Sequence, residues 1–123
     1  MEKIYTYSKV YDCYSSEMAA VHIPFVIKIS KHEWGKKNMS EPMYKHIENI
    51  IEHTIINNVY QFSLDEIYYN KFRLQYNIYV DINYELSELD MNHYVVDIYT
   101  NGEITDDANY FKNIESYFKN RID

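Results

Sequence analysis

The sequence predicts an α+β fold: a two-layer domain with an antiparallel sheet of about four strands and two main helices on one face, in the order ββαββα. Three observations carry this. Residues 71–86, KFRLQYNIYVDINYEL, alternate almost without fault. Phe72, Leu74, Tyr76, Ile78, Val80, Ile82, Tyr84 and Leu86 lie on one parity and polar residues on the other, with Tyr79 as the exception. Residues 41–57 and 106–122 instead repeat their apolar residues at helical spacing. Shorter alternating runs at 22–30 and 93–100 supply partner strands, and Asn101-Gly102 marks a turn. At 123 residues the chain forms one domain, 1–123, and buries about two-thirds of its unfolded surface, enough for a core without disulfides.

Taken in order, residues 3–14 read as a first strand with Tyr5, Tyr7, Tyr11 and Cys13 on one face. Residues 15–20 read as a turn or a single helical turn. In the strand 22–30, Ile23, Phe25, Ile27 and Ile29 point one way; Pro24 cannot donate to a ladder, which predicts an edge strand or a strand margin at Pro24. Residues 31–39 make a polar loop in which Lys28, Lys31, Lys36 and Lys37 surround Trp34.

Ser40 is placed to cap the helix 41–57, with Pro42 in its first turn and Met43, Ile47, Ile50, Ile51, Thr54 and Ile55 as its stripe. Ser63 and Glu66 match a capping box, which opens a short helix ending near Asn70. In the strand 93–100, Tyr94, Val96 and Ile98 are expected inward. Thr105 is the expected cap of the last helix, whose stripe is Phe111, Ile114, Phe118 and Ile122.

As a strand, residues 71–86 would span roughly 50 Å, against a domain diameter of roughly 35 Å. Strong coiling, or an overhanging end that pairs two copies into a homodimer, follows as an expectation.

The formal charge of −7 argues against direct binding to nucleic acid or to an anionic membrane, and it suits a protein partner with a basic surface. No run has the length of a membrane helix. Cys13 is the single cysteine, so no internal disulfide forms; with no signal-peptide pattern at the N-terminus, the expected location is the cytoplasm. The abundance of Ile, Asn, Lys and Tyr matches A/T-rich codons, which accounts for many of the fifteen tyrosines. Tyr is also favoured at interfaces.

Phosphate loops, nucleophile elbows and CxxC pairs are absent from the sequence, so no cofactor is expected. His46 and His53 lie seven residues apart on one helix, about 10 Å of rise, too far to share a metal; no metal is expected. Cys13, on the tyrosine face of its strand, reads as a buried, inert thiol.

The expected function is therefore non-enzymatic: a small acidic binding protein that antagonises another protein. Its profile is shared by small phage anti-defence proteins and toxin-immunity proteins. The expected contact residues are Tyr79, Asp81, Asn83 and Glu85 on the polar face of the long strand, with Asp97 and Tyr99 beside them and Trp34 as a second anchor. The alternative is a small-molecule or nucleotide sponge, or a small enzyme, with a pocket of tyrosines, histidines and Lys28, Arg73 or Trp34.

Overall fold

A computed structural model describes residues 2–32, 39–89 and 93–121. The elements are β1 (Glu2–Tyr14), β2 (Ala20–His32), α1 (Glu41–Val59), α2 (Leu64–Tyr69), α3 (Lys71–Leu89), β3 (His93–Thr100), β4 (Thr105–Asp106) and α4 (Tyr110–Arg121). The α+β class and the four-stranded antiparallel sheet are as expected. Trp34 and the rest of 33–38 lie outside the described residues.

One element is of the other kind. Residues 71–86 are not a strand but most of helix α3. The reason lies in the arithmetic of the two periods. Leu74, Ile78, Ile82 and Leu86 are spaced by four, so they form one ridge of a helix, and all four are buried. Phe72, Tyr76, Val80 and Tyr84 form a second ridge, rotated by about half a turn, and all four are exposed. A strand would bury both sets; a helix separates them. Nineteen helical residues span about 28 Å, which fits the domain without overhang.

β2 is the central strand, paired along its whole length with β1 and, on its other side, with β3 and then β4. Pro24 therefore sits in neither an edge strand nor a strand end. Asn101 donates its amide to the Pro24 carbonyl (2.7 Å), so the Pro24 backbone faces the β3–β4 side. There the missing N–H falls in the gap between the Phe25–Thr100 pair and the His22–Thr105 pair. Gly102 takes the positive φ of 123° that this gap's turn requires.

Odd residues of β1 and β2 face the helices. Tyr7, Tyr11, Cys13, Val21, Ile23, Phe25, Ile27 and Ile29 share one core with Ile47, Ile51 and Ile55 of α1 and the buried ridge of α3. α1 packs on β1 and α3 on β3. The register of β3 shifts between Lys28 and Ile29, a bulge at Val96–Asp97 that reverses parity. Val95 and His93 are consequently inward and Tyr94 and Val96 exposed, the opposite of the expectation for those two; Ile98, past the bulge, does point inward.

The local signals hold elsewhere. Ser40 caps α1 by accepting the Met43 amide (3.3 Å), and Ser63 and Glu66 form the reciprocal capping box. Glu17, in the β1–β2 turn, accepts the Leu64 amide (2.7 Å) and ties that turn to α2. At α4 the cap is Asp106 rather than Thr105: its two carboxylate oxygens accept the Tyr110 and Phe111 amides (2.9 and 3.1 Å), while Thr105 belongs to β4. Residues 106–109 are spent on the strand and turn, so the helix starts at Tyr110.

Candidate functional site

The expected contact face does not exist as one surface. On a strand, residues 79, 81, 83 and 85 share a side; on a helix each step of two residues turns by about 200°, so Tyr79 and Asn83 fall on one side and Asp81 and Glu85 on the other. Asp81 accepts a hydrogen bond from Asn58 of α1 (2.9 Å). Asn83 turns to β3, where its Oδ1 accepts the Val95 amide (2.8 Å). Glu85 borders the groove between α1 and α3. Asp97 and Tyr99 lie on the face of the sheet that points away from the helices, opposite Lys28 and Val26 respectively. Only Tyr79 remains in an aromatic surface, its ring 6.3 Å from that of Tyr76 at an interplanar angle of 27°.

That surface is the exposed ridge of α3. Phe72 is 79 % exposed, Tyr76 and Tyr84 each 64 %, and Val80 lies between them. Tyr76 neighbours Phe72, Tyr79 and Val80 at three- and four-residue spacing. The three large rings leave about 400 Å² of mostly apolar area in water, the size of patch that marks interaction sites on soluble domains. At the α2–α4 contact, Tyr69 and Phe118 stack edge to face (6.3 Å, 86°), and both are exposed. Tyr68 and Phe111 stack beneath them (5.8 Å), which gives α4 its seat on α2.

As one parity of the expected strand, Phe72, Tyr76, Val80 and Tyr84 would face the core together with Leu74, Ile78, Ile82 and Leu86. A signal that separates them was present: the buried ridge is purely aliphatic, Leu-Ile-Ile-Leu, whereas the exposed one reads Phe-Tyr-Val-Tyr.

Acidic residues crowd the second half of the ridge. Asp81 and Glu88 are the neighbours of Tyr84 one turn before and one turn after it, and both are exposed. No basic residue stands in the last turn of α3 to offset the negative end of the helix dipole.

Two other clusters involve titratable groups. His22, on the helix-free face of the sheet, lies between two carboxylates, with Nδ1 2.7 Å from Asp12 and Nε2 2.8 Å from Asp107. The hydrogen bonds to Asp107 and Asp12 raise its pKa against a small opposing effect of burial. With both ring nitrogens facing carboxylates, the arrangement favours the imidazolium form. Its role is to join β1, β2 and the turn before α4.

The second cluster is a cleft of about 430 Å³ between α1 and α3, bordered by His46, Asn49, His53, Asn57 and Glu85. Among the described residues, no group of three or more His, Cys, Asp or Glu side chains is arranged to hold a metal ion. Lys28 and Arg73 do not reach that cleft: Lys28 lies over the Tyr99 ring (5.9 Å) and Arg73 beside Phe62 and Glu66.

Cys13 is buried in the core, and burial, with Asp12 and Glu52 adding, pushes its thiol up to about 12. It is protonated at neutral pH and a poor nucleophile. No helix among the described residues is long and apolar enough to cross a membrane. No protein-family model matches the chain, and no curated protein is significantly similar to it.

Proposed function

We propose that the protein acts by binding another protein through the aromatic ridge of α3, as an antagonist of that partner. One observation carries the reading: Phe72, Tyr76, Tyr79 and Tyr84 form a row of rings in water on a helix whose opposite ridge is fully buried. Rings so placed add nothing to the core, and exposing them lowers solubility. Aromatic side chains of this kind anchor protein interfaces. The carboxylates of Asp81, Glu85 and Glu88, set against an unfavourable dipole, favour a partner with a basic surface.

The test is affinity capture from cells that produce the protein, with wild type and Phe72→Ala/Tyr76→Ala as matched baits. The expected result is one set of proteins held by wild type and lost from the double variant. Equal capture by both baits removes the ridge from the reading.

A second reading rests on the His46–His53–Glu85 cleft, whose size and mostly apolar wall with a few imidazole, amide and carboxylate groups suit a small ligand. A ligand bound there stabilises the folded chain, so a metabolite thermal-shift screen on wild type and His53→Ala distinguishes it.

A further inference from the structure

At Tyr84 the exposed ridge of α3 meets a small pocket that opens off the α1–α3 cleft. The pocket holds about 140 Å³ and is lined by Thr54, Asn57, Asn58, Asp81, Tyr84 and Glu85. Thr54, Asn57 and Glu85 also border the larger cleft, so the two spaces are continuous. Pockets that enclose a whole small molecule hold about 300 Å³ or more. This one has room for the end of a side chain.

Its charge is one-sided. Two carboxylates line it, and no lysine or arginine does. Asp81 and Glu85 stand one helical turn apart, a like-charge pair that disfavours the helix unless a cation offsets it. Among the described residues, Glu85 forms neither an ion pair nor a hydrogen bond. α1 adds to the same field. It ends at Val59, one residue beyond Asn58, and its last turn carries no basic residue, so the negative end of its dipole stands uncompensated beside the pocket.

The wall is also held in place. Asn58 is 4 % exposed, and its side-chain amide donates to the Thr54 carbonyl (2.9 Å) and to Asp81 Oδ2 (2.9 Å). Both amide hydrogens are spent in this way, and the Asp81 carboxylate is fixed before anything binds, which lowers the ordering cost of binding. Tyr84, exposed over most of its surface, supplies an aromatic ring at the mouth.

We propose, building on the ridge as the contact surface, that this pocket receives an arginine side chain of the bound protein, with its guanidinium against Asp81 and Glu85 and stacked on the Tyr84 ring. A guanidinium is planar, forks toward carboxylates and stacks on aromatic faces; a lysine ammonium is a strongly hydrated point charge that uses only the first of these features. Arginine is also among the residues that dominate interface energetics. The partner is thereby defined further: it covers the ridge from Phe72 to Val80 with apolar surface and presents an arginine about 12 Å along the helix axis from Tyr76, at Tyr84.

The test uses N-acetyl-arginine methylamide as the probe, titrated into the full chain, with the NMR signals of the Asn57 and Asn58 side-chain amides as the readout. N-acetyl-citrulline methylamide, of nearly the same shape but uncharged, is the control. Saturable shifts are expected with the arginine probe, with a Kd on the order of 1–10 mM because one side chain buries little surface. No saturation is expected with the citrulline probe. Glu85→Gln and Tyr84→Leu, both at exposed positions, are each expected to weaken the arginine probe about threefold or more without a change in melting temperature. Equal responses to the two probes, an affinity unchanged in both variants, or a response at the His46 and His53 rings with none at Asn57 and Asn58 overturns the proposal. So does a Glu85→Gln bait that holds a ridge-bound partner as well as wild type does. Phe72→Ala/Tyr76→Ala is expected to bind the arginine probe like wild type, so failure of the ridge in capture and failure of the pocket are read separately.

Discussion

His22 Nε2 lies 2.8 Å from the carboxylate of Asp107, eighty-five positions away in sequence, and this contact fastens the turn before α4 to the middle of the sheet. Its other nitrogen holds Asp12 of β1. The folded-state pKa of His22 is raised by these partners, so the sign of its effect on stability is defined. The contribution is fully present below the unfolded value of about 6.5 and is lost as pH rises through the higher folded value. Melting wild type and His22→Gln side by side is expected to show the largest difference near about pH 5.5 and a smaller one near about pH 9. A difference that does not change with pH means that His22 is not charged in the fold.

An alanine scan of α3 separates its two ridges. Ile78→Ala and Ile82→Ala are each expected to cost about 2–5 kcal/mol of folding stability, since both side chains are fully buried among Ile and Leu. Phe72→Ala and Tyr76→Ala, on the exposed ridge, are expected to stay within about 0.5 kcal/mol of wild type. Denaturant unfolding measures all four. Equal losses at every even position are what a strand would give.

Asn83 acts on the sheet from a neighbouring helix. Asn83→Ala leaves the Val95 amide without its acceptor, which is expected to cost about 1–3 kcal/mol. Asn83→Asp keeps an oxygen in place and is expected to lose less. Hydrogen exchange at the Val95 amide reports the bond directly, and unchanged protection in Asn83→Ala argues against it.

For a partner bound on the ridge, Tyr79→Ala is expected to weaken binding by about 2 kcal/mol or more, roughly thirtyfold, if that ring sits at the centre of the contact. Glu85→Lys with Glu88→Lys is expected to slow association and reduce its dependence on salt. Asp81 is a poorer choice for reversal because its bond to Asn58 confounds binding with stability. Affinity and on-rate that survive all of these changes place the interface elsewhere.

What the sequence determined by itself was the set of features closed within a few residues. The Ser40 cap, the Ser63–Glu66 capping box and the positive φ at Gly102 each depend on one side chain or one missing side chain acting on backbone nearby. The apolar stripe of α1 and the inward face of β2 were legible for the same reason, since each follows a single period. Residues 71–86 were not, because a spacing of four is also a multiple of two. Their even positions satisfy a strand and, split into two ridges, satisfy a helix equally well. Only the tertiary structure decided between them: α1 and β3 leave room for one aliphatic ridge, and burying four side chains against them leaves the four aromatic and valine positions in water. The bulge at Val96–Asp97 is likewise a product of pairing, and it moved Tyr94 and Val96 out of the core. Once 71–86 became a helix, Asp81 and Asn83 turned to Asn58 and Val95, and the aromatic surface passed to the ridge from Phe72 to Tyr84. Side-chain direction follows from the backbone period, and that period was set by contacts between residues far apart in the chain.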